Sequence, residues 1–256
     1  MENKFSVSSS PHIRSNEDTS YIMKQVLLAL SPAALAALYY FRASALFVMF
    51  FCILGTVGSE FLYQKIMKQK STIGDYSAVV TGLLLAFNVP ASLPWWMCIL
   101  GGVFAIIVVK MVFGGLGNNF VNPALAGRAF LLASFPVAMT AWTKTGVIWV
   151  SSGSLDAVST ATPLSFLKAG AAGLQPLKES GVSLRDMGLG NIGGCIGETC
   201  VILILLGGVY LIYKGIISYI MPVCYLGTIF ILTFLLGGFS LEFAMFQILA
   251  GGIMLG

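Results

Sequence analysis

Apolar stretches of about twenty residues recur along this chain, parted by short polar breaks. Residues 21–41 form the first. A helix of that length, rising ~1.5 Å per residue, crosses a hydrocarbon core of ~30 Å. Lys24 can snorkel from its near end. Arg42 marks a very short connection, and 43–63 form a second span with Glu60 near its far end. The third run is different. Asp75 is a plausible N-cap, the helix covers 76–87, and Asn88-Val89-Pro90 ends it. Twelve residues reach only ~18 Å, too short to cross unaided. The run is either a half-helix or a span completed by the irregular stretch up to Pro94. Irregular backbone at membrane depth survives only when buried in protein or lining a cavity, so the segment is expected inside the bundle. A fourth span, 95–113, opens on Trp95-Trp96 and closes near Lys110, as a helix re-entering the cytoplasm would. The fifth, 123–142, starts with Asn122 as N-cap and Pro123 at the first helical position.

A long polar segment follows, residues 143–190, and then the apolar pattern resumes. Gly193-Gly194-Cys195-Ile196-Gly197-Glu198-Thr199 opens a sixth span, 198–213, closed by Lys214; a seventh covers 216–236. The last run, 241–256, stops without a polar segment. A helix left at membrane depth with free carbonyls is costly, so a longer natural chain, by up to about two or three spans, is expected. The organisation is thus a polar N-terminal arm (1–20), a first membrane unit (21–142), a polar loop (143–190) and the start of a second membrane unit (191–256). Five spans, a loop and further spans after a glycine-rich opening are the layout of an inverted repeat of five plus five. The fold class expected is an all-α polytopic membrane protein with about eight spans in this chain.

Composition makes the membrane reading firm. The chain is 57% hydrophobic and 9% charged, where a soluble domain carries about 25% charged residues. Such a chain cannot cover itself with water-compatible surface, so lipid must be its solvent. The net charge of +4 is spread over loops and helix ends, which gives no basis for a nucleic-acid partner. The arm 4–24 holds Lys4, Arg14 and Lys24, and the loop Lys65-Ile66-Met67-Lys68-Gln69-Lys70 is strongly basic. By the positive-inside rule both are cytoplasmic, with two spans between them. Counting on, the 143–190 loop lies on the outer face. Met1–Ser20 has no apolar core or small-residue cleavage site and is not a signal peptide. Cys52, Cys98, Cys195, Cys200 and Cys224 form no Cys-x-x-Cys pair, haem attachment or zinc pattern, and four lie within or beside apolar runs.

Candidate chemistry sits in two loops. In the polar segment, Asp156-Ala157-Val158-Ser159-Thr160-Ala161-Thr162-Pro163 offers one carboxylate and three hydroxyls within seven positions. Its plain reading is a turn, since Asp, Ser and Thr bond their own backbone and Pro163 blocks a helix. In the other loop, Gly114-Gly115-Leu116-Gly117-Asn118-Asn119-Phe120-Val121-Asn122-Pro123 runs on to Gly127-Arg128. Its glycines let backbone amides approach an anion or a ring closely, although close helix packing explains such glycines as well.

Both loops resemble one family. Asp-x-x-Ser-x-Ala-Thr is similar to the signature at which a flavin transferase attaches FMN to a threonine. The block Phe113-Gly-Gly-Leu-Gly-x-Asn-x-x-Asn-Pro-Ala-x-x-Gly-Arg128 resembles a signature of RnfD, the D component of the Rnf complex. RnfD is a relative of NqrB, the B component of the sodium-pumping NADH:quinone reductase (Nqr). Ser8-Ser9-Ser10-Pro11-His12-Ile13-Arg14 and Gly194-x-x-Gly197-Glu198-Thr199 resemble the same family, the former favouring the Rnf branch. Many members carry Gly where this chain has Thr160. The resemblance implies a fold akin to urea and ammonium channels. It implies covalent FMN on Thr162, with Asp156, Ser159 and Ala161 as recognition positions and Asn118, Asn119, Asn122 and Arg128 as further cofactor-binding candidates. Riboflavin is also associated with the family. The implied role is an electron relay in a bacterial inner-membrane complex that couples transfer between reduced ferredoxin and NAD to Na+ or H+ translocation. The other Rnf proteins (A, B, C, E and G) are the implied partners, G the nearest in redox terms, with a flavin transferase for maturation.

Two other classes fit parts of the chain. A small-solute channel accounts for the half-helix and the glycine-rich loop but not for the Asp156–Thr162 string, and a purely structural role accounts for composition alone. Glu60, Asp75, Glu198 and Glu242 are the carboxylates nearest the bilayer and so candidates for handling ions. All lie near predicted helix ends, where capping or interfacial solvation is the simpler role.

Overall fold

A computed structural model of the chain describes residues 18–142, 194–198, 200–236 and 241–249. These residues are all helix, turn and loop. The first helical stretch, Thr19–Ile66, is 48 residues long, which as one straight rod would measure ~72 Å, over twice the hydrocarbon core. It is broken at Arg42, whose φ of 52° and ψ of −128° are non-helical. The two halves, α1 (19–41) and α2 (43–66), fold back on each other. Asp18, Thr19 and Ser20 at the start of α1 share a cavity wall with Gln64, Gln69 and Lys70 at the end of α2. The predicted pair of spans joined at Arg42 is therefore present, and the start of α1 and the basic 65–70 loop lie at one face of the bundle.

A short 3-10 turn, Ile73–Asp75, leads into α3 (Ser77–Phe87). The N-cap is Tyr76, in a left-handed conformation, rather than Asp75 as expected, and the helix begins one residue later than predicted. Asp75, just before the cap, still accepts the Ser77 N–H at 2.8 Å. Asn88 closes the far end. Ser77, Ala78, Val80, Gly82, Leu83, Leu85, Ala86 and Phe87 are buried, as are Val89, Ala91 and Leu93 of the irregular stretch beyond. The half-helix sits inside the bundle, as lipid requires of backbone that stops at depth.

Next comes α4, regular from Trp95 to Val103 and π-helical over Phe104–Met111. The fifth run is α5 (Pro123–Ser134), capped by Asn122, whose Oδ1 accepts the Ala124 N–H at 3.0 Å. It does not continue unbroken to 142. Phe135 leaves helical geometry, and the short α6 (Pro136–Met139) restarts. Pro136 has no N–H to give the preceding turn and biases Phe135 away from the helical region. After a 3-10 turn at Ile196–Glu198 come α7 (Val201–Tyr213), α8 (Ile220–Leu236) and α9 (Leu241–Leu249).

Lipid tails give helices no hydrophobic reason to associate, so small residues and close contact must do it. A Cβ on Gly82 of α3 would lie 2.8 Å from the Ile53 Cα of α2 and closer still to the Thr56 hydroxyl. A Cβ on Gly55 would lie 2.9 Å from the Ile99 Cα of α4, and one on Gly127 of α5 would lie 3.0 Å from the Gly101 carbonyl of α4. Gly207 of α7 presses on the Ala29 carbonyl of α1. Backbones meet at each crossing. Gly82→Ala is therefore expected to destabilise by about 1–3 kcal/mol, the usual cost of overpacking. Gly58→Ala, where a Cβ meets nothing within 4 Å, is expected to be neutral or to stabilise by up to ~1 kcal/mol through helix propensity. Thermal unfolding of both variants in detergent checks this; equal melting temperatures would refute the close-packed crossing.

Candidate functional site

The half-helix α3 has a polar cluster at each end. At its N-terminal end Glu60 of α2 and Lys110 of α4 form an ion pair, Nζ to Oε2 2.7 Å, with side chains 0% and 2% exposed. Both residues depart from the simpler sequence reading. Lys110 is not an interfacial marker at the end of a span, and Glu60 is neither a cap nor solvated at the interface. Placing such charges away from water costs several kcal/mol each, and the pair persists only if the remaining bonding capacity is met. It is met. Lys110 also donates to Ser77 Oγ at 2.6 Å, and Ser77 in turn donates to Asp75 Oδ1 at 2.6 Å. The other Glu60 oxygen accepts the Thr72 hydroxyl at 2.7 Å and Gln64 Nε2 at 3.2 Å. Gln64 and Thr72 bond each other twice more, through Nε2 to Oγ1 at 2.6 Å and the Thr72 N–H to Oε1 at 3.1 Å.

This network is not sealed. Lys110, Gln64, Thr72 and Asp75 line a cavity of about 640 Å³, completed by Asp18 and the Gly114–Leu116 corner. Thr72 is exposed while Glu60 is fully buried. The hydroxyl and amide thus form a polar step from the cavity to the carboxylate. The π-helical turn carries Lys110; i→i−5 bonds such as Val112 N–H to Ile107 O at 3.1 Å shift every later position out of 3.6-residue phase. Chemically, the arrangement offers a carboxylate and an ammonium whose pairing a proton or a cation from the cavity side would disturb.

At the other end of α3, Arg128 of α5 donates to Asn88 Oδ1 at 2.9 Å and to Cys195 Sγ at 3.7 Å. Cys195 donates to the Asn88 carbonyl at 3.5 Å, and the Ile196 N–H donates to the Val89 carbonyl at 3.2 Å. The glycine-rich opening of the second membrane unit thus docks on the broken end of α3.

The candidates named from sequence therefore divide. Asn118, Asn119 and Asn122 stay in the loop before α5, near the cavity, and Arg128 belongs to the second cluster. Each asparagine also shapes its own loop: Asn118 Nδ2 donates to Gly114 O at 3.4 Å, Asn119 Nδ2 to Val121 O at 2.9 Å, and Asn122 caps α5. Gly114 and Gly117 adopt positive φ, and a Cβ on Gly117 would meet nothing within 4 Å. The conformation, not close approach of another group, requires glycine there. Asp156, Ser159, Ala161 and Thr162 lie outside the described residues, as do the side chains of Glu198 and Glu242. Sequence reasoning missed Lys110, Ser77, Thr72 and Gln64. A lysine inside an apolar run is a signal for Lys110; the three polar neighbours carry none.

A family model described as "NQR2, RnfD, RnfE family" matches residues 6–256. The chain belongs to this family. It is 48% identical to the D component of the Na(+)-translocating ferredoxin:NAD(+) oxidoreductase complex of Acetobacterium woodii, over 100% of this chain and 76% of that protein. It is 43% identical to the D component of the proton-translocating ferredoxin:NAD(+) oxidoreductase complex of Clostridium ljungdahlii, over 100% of this chain and 77% of that protein. It is also 34% identical to the D component of the ion-translocating oxidoreductase complex of Cronobacter sakazakii, over 98% of this chain and 80% of that protein.

The energetics of the buried pair can be tested directly. Lys110→Met leaves a buried carboxylate alone and is expected to cost about 3–5 kcal/mol. Glu60→Leu combined with Lys110→Met removes both charges and is expected to recover a large part of that loss. The yield and melting temperature of the two variants in detergent check it. A double variant no more stable than Lys110→Met would mean that the pair is not the constraint.

Proposed function

We propose that this chain is the D component of an Rnf-type complex, coupling electron transfer between reduced ferredoxin and NAD to Na+ or H+ translocation. The match across residues 6–256 and the names of the relatives support that reading. The structural observation that carries the ion-handling part is the Glu60–Lys110 pair at the base of a polar cavity. A carboxylate held within the membrane against a lysine, with a hydroxyl step to water, is the kind of group through which a membrane protein handles charge.

The electron-transfer part rests on the Asp156–Thr162 string. We assign FMN to the Thr162 hydroxyl through its phosphate, with Asp156, Ser159 and Ala161 as the positions a flavin transferase reads. Asn118, Asn119, Asn122 and Arg128 are proposed as further cofactor contacts, and riboflavin as a second flavin. Flavin supplies one- and two-electron chemistry that no side chain offers. The chain's own part is to hold the attachment loop at one membrane face and the charged network at the other. The proposed topology has a cytoplasmic N-terminus and an outer flavin loop, in a complex with the A, B, C, E and G proteins of the Rnf assembly.

Two measurements test the two halves. With the flavin transferase co-expressed, the denatured protein should fluoresce on a gel and Thr162→Val should be dark; a dark wild-type band alongside a labelled control substrate would remove the flavin assignment. Glu60→Gln in the assembled complex should leave that fluorescence intact while ion uptake into vesicles falls by at least about tenfold, a barrier change of ~1.4 kcal/mol. Unchanged uptake would take the ion-handling role away from the buried pair.

A further inference from the structure

Cys52 of α2 and Cys98 of α4 are both 0% exposed, and neither belongs to the charged network or the flavin motif. Their relation follows from how the two helices run. Glu60 pairs with Lys110 near one end of both, and Phe51 packs on Trp95 near the other, with ring centroids 5.9 Å apart. The helices are therefore parallel. Their backbones are in van der Waals contact: a Cβ on Gly102 would lie 3.0 Å from the Thr56 amide nitrogen and 3.2 Å from the Cys52 carbonyl oxygen. Thr56 and Gly102 are 46 positions apart in the chain, and so are Cys52 and Cys98. Four residues earlier on both parallel helices, about one turn, one cysteine comes opposite the other. The two side chains are close enough to interact, as this register requires.

The geometry points to Cys52 and Cys98 as a dithiol that closes into a disulfide inside the membrane, locking α2 against α4. A disulfide needs Cα atoms about 4.4–6.8 Å apart, a separation within reach of helices whose backbones touch one turn away. Burial in apolar surroundings shields the thiols from water-borne oxidants, so the natural co-reactant is a lipid-soluble quinone. The step balances. Two S–H bonds break and one S–S bond forms; two protons and two electrons pass to the quinone, giving the hydroquinone. The bridge would sit eight residues, ~12 Å along α2, from Glu60. It would fix the two helices that contribute the buried charges.

The test uses the assembled complex in its membrane. Vesicles are treated with tetramethylbenzoquinone, whose ring carbons are all substituted, then blocked with N-ethylmaleimide, digested and weighed without reductant. The expected product is a peptide pair joined through Cys52 and Cys98, two hydrogens lighter than its reduced parts and released by dithiothreitol. It should be absent from Cys52→Ala and from Cys98→Ala; the wild type with and without quinone gives the comparison even where a variant fails to accumulate. Recovery of both cysteines as separate maleimide adducts, at the yield of the untreated sample, would overturn the proposal. So would a quinone adduct on either sulfur, or a bridge from either to Cys224.

Discussion

Glu60 and Lys110 form their ion pair where neither charge could remain alone. Breaking such a pair costs more than the pair itself contributes, because the partner left behind keeps its desolvation penalty. Everything around it is arranged so that this does not happen. Ser77 accepts a second hydrogen bond from Lys110 and donates its hydroxyl to Asp75, while Thr72 and Gln64 donate to the other Glu60 oxygen. The network therefore joins α2, the loop after it, the start of α3 and the π-helical end of α4. Low local dielectric strengthens each link and raises the cost of omitting one.

That network also explains how a helix of 11 residues can begin and end inside the bundle. A half-helix exposes four N–H groups at one end and four carbonyls at the other. In lipid these must be met by protein. Asp75 meets the first at the N-terminal end, and Arg128, Cys195 and the Ile196 N–H gather round Asn88 and Val89 at the other. The sides of α3 are closed by contact, with Gly82 against α2 and Leu85 beside Gly101 and Gly127. Polar satisfaction at the ends and small residues along the flanks are two parts of one requirement.

Those features that depend on neighbouring residues were legible in the sequence. The break at Arg42, the half-helix ended by Asn88, the Asn122-Pro123 start of α5 and the burial of most of 77–93 all follow from length, caps and hydropathy. Features that depend on distant residues were not. Lys110 looks like a residue that ends a span, and only the placement of Glu60, 50 positions earlier, makes it internal. The π-helical turn changes the facing of residues after Val103, so no 3.6-residue count could have aimed Lys110 at Glu60. The separation of Arg128 from Asn118, Asn119 and Asn122 has the same origin. All four belong to one sequence block, but the start of α5 carries Arg128 about a turn and a half into the bundle, beside Asn88. The Phe135–Pro136 break was legible in principle, since proline marks it locally, and the apolar run hid it.

The charges at the two ends of α3 stand differently towards the helix dipole. Partial positive charge gathers at a helix N-terminus and partial negative charge at its C-terminus. The N-terminal end of α3 carries Glu60 and Asp75 about Lys110, with Lys24 over the Tyr76 ring and Asp18 and Lys70 on the cavity wall; the C-terminal end carries Arg128. The Arg128 cluster opposes the partial charge of the end it covers. The cluster open to the cavity, however, holds its cation at the positive end of the dipole, and Glu60 and Asp75 compensate for that. Any proton or cation arriving from the cavity competes with Lys110 for Glu60. The ion pair is therefore the part of this half-helix whose electrostatic balance depends most on what occupies the cavity, whereas the Arg128 end is matched to its dipole.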